Sequence, residues 1–439
     1  MQTNFTLAQL ADPDLAESEK ILRTCVHCGF CNATCPTYAL LGDELDGPRG
    51  RIYLIKDMLE GGKSATPTLV RHVDRCLSCL SCLTTCPSGV DYMHLVDHAR
   101  ARIEETYRRP FADRALRAML AFVLPRPGLA RIALAAAALA KPLARLLPRG
   151  RIAAMLRLAR APAPPSVMDL AQIFPAVGKR RKRVALLTGC VQQALAPQIN
   201  ESTIRLLTRL GCEVVVAKGA GCCGSLVHHL GRAADAEEAA RRNVAAWTAA
   251  IDGGGLDAVI ANASGCGTML KDYGHVLRGD PLWGAKAAKI AGLAKDVSEV
   301  VGALGVERST LSASALAGIK VAYHSACSLQ HGQKIHDLPR RLLAAAGFAV
   351  VDPPDGHLCC GSAGTYNVLQ PAIAESLRER KLAAIARVNP DIIAAGNVGC
   401  IEQLAGGGSP VVHTVELLDW ATGGPRPVAL EGRLAGATG

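Results

Sequence analysis

Residues 25–36 read CVHCGFCNATCP and residues 76–87 read CLSCLSCLTTCP, so the cysteine spacing C-x2-C-x2-C-x3-C-P occurs twice. This spacing is typical of proteins with two [4Fe–4S] clusters, in which three cysteines of one run share a cluster with the fourth cysteine of the other. Thiolate sulfur is a soft ligand that suits iron. We therefore predict two clusters, with Cys25, Cys28, Cys31 and Cys86 binding the first and Cys76, Cys79, Cys82 and Cys35 binding the second.

Two other roles of clustered cysteines fit this pattern less well. A structural zinc site needs one pair of C-x2-C knuckles rather than two sets of four, and disulfides form in oxidising compartments. His27 lies inside the first run. Because four cysteines already complete each set, we predict a supporting or surface role for this histidine.

The composition indicates an intracellular protein with more than one core. The chain has 439 residues, 17 cysteines and a net charge of +11, and this length suffices for two or three domains. The first residues include acids and no apolar run, so we expect no secretory signal peptide. We expect a cytoplasmic location, where cysteines serve as metal ligands or redox thiols.

A basic segment rich in alanine and leucine follows the second cysteine run. Between Phe111 and Arg160, ten arginines or lysines accompany a single acid, Asp113, and prolines divide the segment into short predicted helices. Its longest uncharged apolar run, residues 132–140, is shorter than the roughly 20 residues that span a bilayer. We therefore predict no spanning helix. The segment is expected to contact an anionic membrane surface or a partner protein, or to pack on the body with its arginines in water.

The second half of the chain is an internal duplication. Four cysteines recur at offsets of 137, 137, 137 and 134 residues: Cys190, Cys222, Cys223 and Cys266 correspond to Cys327, Cys359, Cys360 and Cys400. Both copies contain the sequence CCGS. A duplication this regular indicates two structural repeats.

In each copy the cysteines follow apolar, β-rich runs. These runs lie at 184–188, 213–217 and 258–261 in the first copy and at 319–323, 348–351 and 391–395 in the second. Helical patterns alternate with them, which predicts parallel βαβ layers. Because parallel strands end at one edge of a sheet, we expect the thiols of each copy to meet there.

These patterns predict an α+β multidomain protein. Residues 1–110 form a helical ferredoxin-like domain with two [4Fe–4S] clusters, 111–183 a basic helical segment and linker, and 184–318 and 319–439 two α/β cysteine-rich repeats. The eight repeat cysteines are candidates for further iron–sulfur centres, either one in each repeat or one shared. His324 and His357 lie close to them in sequence and are candidates for tuning or binding such a centre, beside ordinary capping or core roles.

Four stretches carry a resemblance to a known family: CLSCLSCLTTCPSGVDY (76–92), NASGCGTMLKDYGHVL (262–277), AYHSACSLQHGQK (322–334) and LCCGSAGTYNVLQP (358–371). Nearly the whole chain resembles the iron–sulfur subunits of bacterial glycolate oxidase (glycolate dehydrogenase). The wider family combines twin ferredoxin runs with two CCG repeats, and it includes the third subunit of anaerobic glycerol-3-phosphate dehydrogenase and the catalytic subunit of heterodisulfide reductase.

The resemblance implies an electron-transfer subunit of a complex. Flavoprotein subunits would oxidise glycolate to glyoxylate, and the electrons would pass through this chain towards a membrane quinone. The flavoprotein subunits would supply the hydride step, so this chain is expected to hold no flavin of its own and no catalytic residue for that step. We expect it in the cytoplasm, peripheral on the inner membrane. Nucleic acid is not an expected partner, because 4% aromatic content and no reader motif argue against it.

Two alternative functions follow from the same family and composition. The heterodisulfide reductase relative implies thiol–disulfide chemistry at a non-cubane cluster held by repeats that end in C-x2-C. Here Ala263 and Asn397 replace the first cysteine of that pair, which argues against this chemistry. The clusters could also serve only to stabilise the fold or to sense oxygen, but two adjacent clusters and a duplicated set of thiols exceed what such a role requires. Electron relay is therefore the predicted function, with another 2-hydroxy acid or glycerol-3-phosphate as alternative substrates of the complex.

Overall fold

Helices form the N-terminal region, and two parallel sheets form the second half of the chain. The structure is a computed structural model that describes residues 1–147, 150–306, 316 and 318–432. The predicted fold class is confirmed: a helical dicluster domain precedes two cysteine-rich α/β repeats.

Short helices surround the two cysteine runs. Four of them begin with a proline at the first helical position, where the missing N–H costs no hydrogen bond. The helices are Leu7–Leu10, Pro13–Thr24, Phe30–Ala33, Pro36–Leu41, Pro48–Glu60, Pro67–Asp74, Ser81–Thr85 and Tyr92–Thr106, with a 3-10 turn at Glu44–Asp46. Their apolar faces bury one core that contains Leu22, Ile55, Val73 and Leu95.

Three helices then lead towards the repeats, and we call them the bridging helices: Phe111–Val123, Pro127–Ala140 and Arg151–Leu158. Asp113, the single acid of this segment, forms ion pairs with Arg117 and Arg151. Several of the basic side chains are therefore bound within the protein rather than free in water.

One helical stretch, Pro127–Ala144, has the length and composition of a membrane-spanning helix, and 11% of it is buried. It is longer than the uncharged run used for the sequence prediction because it includes Arg131 and Lys141. Arg131 donates to the carbonyl of Gln193 at 2.6 Å, and Lys141 donates to the carbonyl of Ala159 at 3.0 Å. Both charges are thus tied to the protein itself.

The first repeat contains a five-stranded sheet with the order β1-β3-β2-β4-β5. Its strands are β1 (Gln172–Phe174), β2 (Lys182–Leu187), β3 (Cys212–Val216), β4 (Ala258–Ala261) and β5 (Ala294–Asp296). Strands β2 to β5 are parallel, whereas β1 pairs antiparallel with β3. Strand β1 comes from the segment that the sequence analysis assigned to a linker.

The second repeat contains a four-stranded parallel sheet with the order β7-β6-β8-β9. Its strands are β6 (Lys320–His324), β7 (Ala349–Val351), β8 (Ile392–Ala395) and β9 (Val411–His413). This order matches β3-β2-β4-β5 of the first repeat. The duplication seen in the cysteines therefore extends to the sheet topology.

Helices cover both sheets. In the first repeat they are Val191–Leu195, Gln198–Arg209, Ser225–His229, Ala233–Asp252, Ser264–Lys271, Tyr273–Val276, Gly284–Leu293 and Val297–Leu304. In the second they are Leu338–Ala345, Tyr366–Leu369, Pro371–Ala386, Val398–Leu404 and Thr414–Ala421, with a π-helical turn at Ser328–Gly332. One hydrophobic cluster includes Leu207 of the first repeat with Leu343 and Leu417 of the second, so the repeats share a core.

Candidate metal centres and a shared thiol cavity

Cys25, Cys28, Cys31 and Cys86 line one cavity, and we call them the outer set. They are the four residues predicted for the first cluster, and they come from both cysteine runs. Cys28 is exposed to solvent. Burial, reinforced by neighbouring thiols, raises the pKa of Cys31 to about 11. Four converging thiols of this kind are a donor set that fits an iron–sulfur cluster.

Cys35, Cys76, Cys79 and Cys82 line a second cavity, and we call them the inner set. These are the residues predicted for the second cluster. Cys82 also borders the first cavity, so the two sets are adjacent. Ligation by either set stays a prediction, but the structure brings together the thiols that each cluster would need.

The backbone explains how each run folds around its centre. His27 and Gly29 have positive φ angles of 60° and 86°, and the equivalent residues Ser78 and Leu80 have 50° and 61°. Residues other than glycine rarely adopt this left-handed conformation, and it recurs at functional sites. Both runs therefore make the same unusual turn. His27 contributes to it through its left-handed backbone conformation.

Polar groups surround the inner set. Arg51 is 1% exposed, and its Nη1 lies 3.9 Å from Cys35 Sγ, while Tyr92 Oη donates to Cys76 Sγ at 3.8 Å. Burial raises the pKa of Cys76, but the guanidinium groups of Arg51 and Arg100 outweigh it, so the net pKa is lowered. Such groups stabilise negative charge on sulfur and raise the reduction potential of a bound cluster.

The inner set also faces the repeats. Cys79 packs against a hydrophobic cluster that contains Leu77, Cys327 and Cys359. Burial raises the pKa of Cys79 well above its ordinary value, and the nearby Cys327 thiol raises it further. The inner set therefore lies close to thiols of the second repeat, a proximity that the sequence did not predict.

Each repeat arranges its four thiols in one series. In the first repeat Cys222 lies between Cys190 and Cys223, and Cys223 also contacts Cys266. Hydrogen bonds from Cys190 and Cys223 lower the pKa of Cys222 well below its ordinary value. The N–H of Gly224 also donates to Cys222 Sγ at 3.4 Å.

The second repeat repeats this series with Cys327, Cys359, Cys360 and Cys400. Within each repeat the cysteines follow the carboxyl ends of parallel strands, the edge at which such sheets bind ligands. The predicted meeting of the thiols at that edge is therefore found in both copies.

The two repeats open onto one cavity of about 360 Å³, which we call the shared cavity. It is lined by thiols of both repeats and by Cys79 of the inner set. The bridging helices supply its apolar wall: Leu120, Val123, Ala130, Leu134, Ala137 and Met155. The volume lies in the range of sites that bind small molecules.

The structure separates the two histidines that the sequence proposed. His324 is buried at the end of β6, beside Cys360 and Cys400, whereas His357 is exposed. Sequence reasoning missed Arg51, which contacts Cys35, and Lys381, a buried cation near the thiols of the second repeat. Neither lies in a cysteine motif, so no spacing signal marks them.

Known protein families match this architecture. A 4Fe-4S dicluster domain model matches residues 21–90, and a cysteine-rich domain model matches twice, at 184–271 and 321–405. The glycolate oxidase iron–sulfur subunit of Escherichia coli (strain K12) is 41% identical over 422 residues, which are 96% of this chain and 99% of that protein. This chain belongs to the glycolate oxidase iron–sulfur subunit family.

Other relatives agree with this membership. A probable glycolate oxidase iron–sulfur subunit of Bacillus subtilis (strain 168) is 32% identical over 92% of this chain and 94% of its own length. Lactate utilization protein A of Geobacillus thermodenitrificans (strain NG80-2) is 31% identical, but over 54% of this chain and 98% of its own length. Iron–sulfur clusters are thus confirmed as the class of cofactor, while their number stays a prediction.

A solved structure shares the fold of this family member. It is a hypothetical protein from Helicobacter pylori with a TM-score of 0.51 and 11% sequence identity, over 88% of this chain and 69% of that protein. At this identity the likeness concerns the fold alone.

Proposed function

We propose that this chain relays electrons in a glycolate dehydrogenase complex, from a flavoprotein subunit that oxidises glycolate to glyoxylate to a quinone-type acceptor in the shared cavity. One observation carries the proposal: thiols form a continuous series from the protein surface to an apolar cavity. The series runs from the outer set to the inner set, and through Cys79 to Cys327 and Cys359.

The residues around the outer set support it as the entrance for electrons. Cys28 is exposed, and so are the nearby apolar side chains of Val26 (67%) and Phe30 (63%). Exposed apolar side chains grouped around a functional centre are typical of protein–protein contacts. The proposed occupant of this surface is the flavoprotein subunit.

When bound, iron–sulfur clusters accept and release one electron at a time, which complements the two-electron chemistry of a flavin. The chain's own residues hold these centres and keep water away from the inner ones. Cys76, Cys82 and all four thiol positions of the second repeat are buried.

The shared cavity supports an apolar acceptor as the exit. A quinone takes up protons as well as electrons, and two titratable side chains, His229 and Glu402, line the cavity. Burial lowers the pKa of His229 to about 4 and raises the pKa of Glu402. Because its pKa is raised, Glu402 holds a proton more readily than an ordinary carboxyl group and would supply it to a quinone reduced beside it.

The bridging helices support a peripheral membrane position, which we propose to lie on the cytoplasmic side. One face of the second helix contributes Ala130, Leu134 and Ala137 to the cavity wall, while Ile132 (68% exposed) and Leu139 (85% exposed) face outwards. An apolar outer face next to basic side chains suits an anionic lipid surface. A quinone would reach the cavity from that surface.

The test uses the complex of this chain with its flavoprotein subunits, purified anaerobically. We expect glycolate-dependent reduction of a short-chain ubiquinone, and no glycolate oxidation by this chain alone. Leu134→Trp fills the cavity and is expected to abolish quinone reduction, whereas Ile132→Trp on the outer face is the matched control. Glycolate turnover by the isolated chain, or full quinone reduction by Leu134→Trp, would contradict the proposal.

A further inference from the structure

We propose that His324 is a metal ligand, so that the centre of the second repeat is bound by imidazole and thiolates while that of the first repeat is bound by thiolates alone. The inference rests on the iron–sulfur part of the proposed function. It does not depend on glycolate, on the flavoprotein or on the quinone.

The geometry of three side chains supports this assignment. A ring nitrogen of His324 and the Sγ atoms of Cys360 and Cys400 all lie within 4.8 Å of one another. Metal–sulfur bonds of about 2.3 Å and metal–nitrogen bonds of about 2.0 Å place two donors of one metal roughly 3.5 to 4.5 Å apart. Separations of at most 4.8 Å are compatible with three donors to one metal ion.

The hydrogen bonding of His324 points to the same role. The side chain is 2% exposed, and its Nε2 atom has no hydrogen-bond partner within the part of the chain that the structure describes. A buried polar atom without a partner is costly and calls for a specific explanation. Coordination of a metal supplies the missing partner.

The first repeat shows that the fold itself does not need this histidine. Leu187 occupies the equivalent position: it precedes Cys190 by three residues, as His324 precedes Cys327. Leu187 pairs with Ala261 in its sheet, and His324 pairs with Ala395. The same backbone thus accepts an apolar side chain that offers no ligand.

The histidine also adds a donor to the thiols of the second repeat. Asn397, three residues before Cys400, offers no thiolate, and its amide lies 3.6 Å from Cys400 Sγ. His324 gives the second repeat a fifth donor from a different element, the end of β6. The first repeat, with Ala263 and Leu187 at these positions, has four.

A buried cation distinguishes the second repeat further. Gly224 lies close to Ala236 in the first repeat, and Gly361 lies close to Ala374 in the second. Aligning the two helices on these alanines gives Asn243 and Lys381 equivalent positions in the two repeats. Lys381 is 3% exposed, and its Nζ donates to the carbonyl of Asp355 at 2.9 Å. Imidazole is a neutral ligand that adds no negative charge to an iron–sulfur centre, unlike a thiolate, and nearby positive charge stabilises the reduced form of the centre. The second repeat would therefore hold the more oxidising of the two repeat centres.

The test is electron–nuclear double resonance on the full chain, reduced anaerobically and labelled with 15N-histidine. We expect a strongly coupled histidine nitrogen in the wild-type protein and its loss in His324→Leu, the residue of the first repeat. His357→Leu, which changes an exposed histidine two residues before Cys359, is the matched control and is expected to keep the coupling.

A second variant covers the case in which His324→Leu loses the centre altogether. His324→Cys supplies a thiolate instead, so we expect it to retain the wild-type iron content, lose the nitrogen coupling and show a lower midpoint potential. Absence of coupling in the wild type, its persistence in His324→Leu, or failure of His324→Cys to hold iron would overturn the assignment. Loss of glycolate–quinone activity with the coupling intact would count against the proposed function alone.

Discussion

The two cysteine-rich repeats have the same strand order and the same series of thiols, but different side chains surround those thiols. The first repeat presents Leu187 and Asn243 where the second presents His324 and Lys381. The inner set packs against the second repeat through Cys79. The duplicated backbone therefore positions the sulfur atoms, while a few neighbouring side chains decide how each set is used.

The largest expected difference between the repeats concerns electron transfer. Cys359→Ser removes a thiol near Cys79. We expect quinone-dependent reoxidation of the reduced ferredoxin domain to slow by about tenfold or more, because mutation of metal ligands or of the groups that support them lowers activity by at least that factor. Cys222→Ser in the first repeat is the matched variant and is expected to have a smaller effect on this step. Stopped-flow measurement of the two rates makes the comparison, and equal rates would contradict it.

A second difference concerns stability. Gly224 and Gly361 both have φ of +93°, but a Cβ atom would lie 3.1 Å from the carbonyl oxygen of Ala236 in the first case and 2.4 Å from that of Ala374 in the second. We therefore expect Gly361→Ala to lower the thermal denaturation midpoint of the holoprotein more than Gly224→Ala, because backbone atoms must move. Similar midpoints for the two variants would show that the loops adjust equally.

The smallest expected difference concerns pH. Helix Val297–Leu304 is capped by Asp296 and Glu299, and helix Thr414–Ala421 by His413 and Glu416. Burial raises the pKa of Asp296 to about 6 and that of Glu416 to about 7. A raised carboxyl pKa means that the folded protein binds the proton more tightly, so stability is lost as pH rises through these values.

For Glu416 this loss falls between about pH 4.5 and 7, whereas for Asp296 it is complete near pH 6. Between pH 5.5 and 7.5 the free energy of unfolding of the wild type is expected to fall by about 2 kcal/mol more than that of Glu416→Gln. Asp296→Asn is the counterpart, and its effect is expected mostly below pH 6. Thermal denaturation of the holoproteins across this range measures both, and identical pH profiles for wild type and Glu416→Gln would contradict the prediction.

The sequence predicted most of what depends on local spacing. The C-x2-C-x2-C-x3-C runs indicated which thiols lie together in the outer and inner sets, and the apolar runs before Cys190 and Cys327 indicated strands that end at the thiols. These features follow from short-range backbone geometry and from the shared edge of parallel strands.

Features that depend on packing between distant segments were not predictable. Nothing in the spacing places Cys79 beside Cys359, or joins the thiols of both repeats with the bridging helices in one cavity. Strand β1 also escaped prediction, because its three residues, Gln172–Phe174, follow no clear period and pair with β3 some forty residues later. The role of His324 was left open by the sequence because only the structure shows Cys360 and Cys400 beside it.

We propose that the thiols of this chain hold a continuous series of iron–sulfur centres. Iron analysis combined with low-temperature EPR of the anaerobically purified, reduced chain is the test of this proposal. We expect at least about eight irons for the outer and inner sets, together with a further signal that disappears in a Cys222→Ser and Cys359→Ser double variant. A colourless protein with zinc or free thiols at Cys25 to Cys86, or a spectrum unchanged in the double variant, would contradict it.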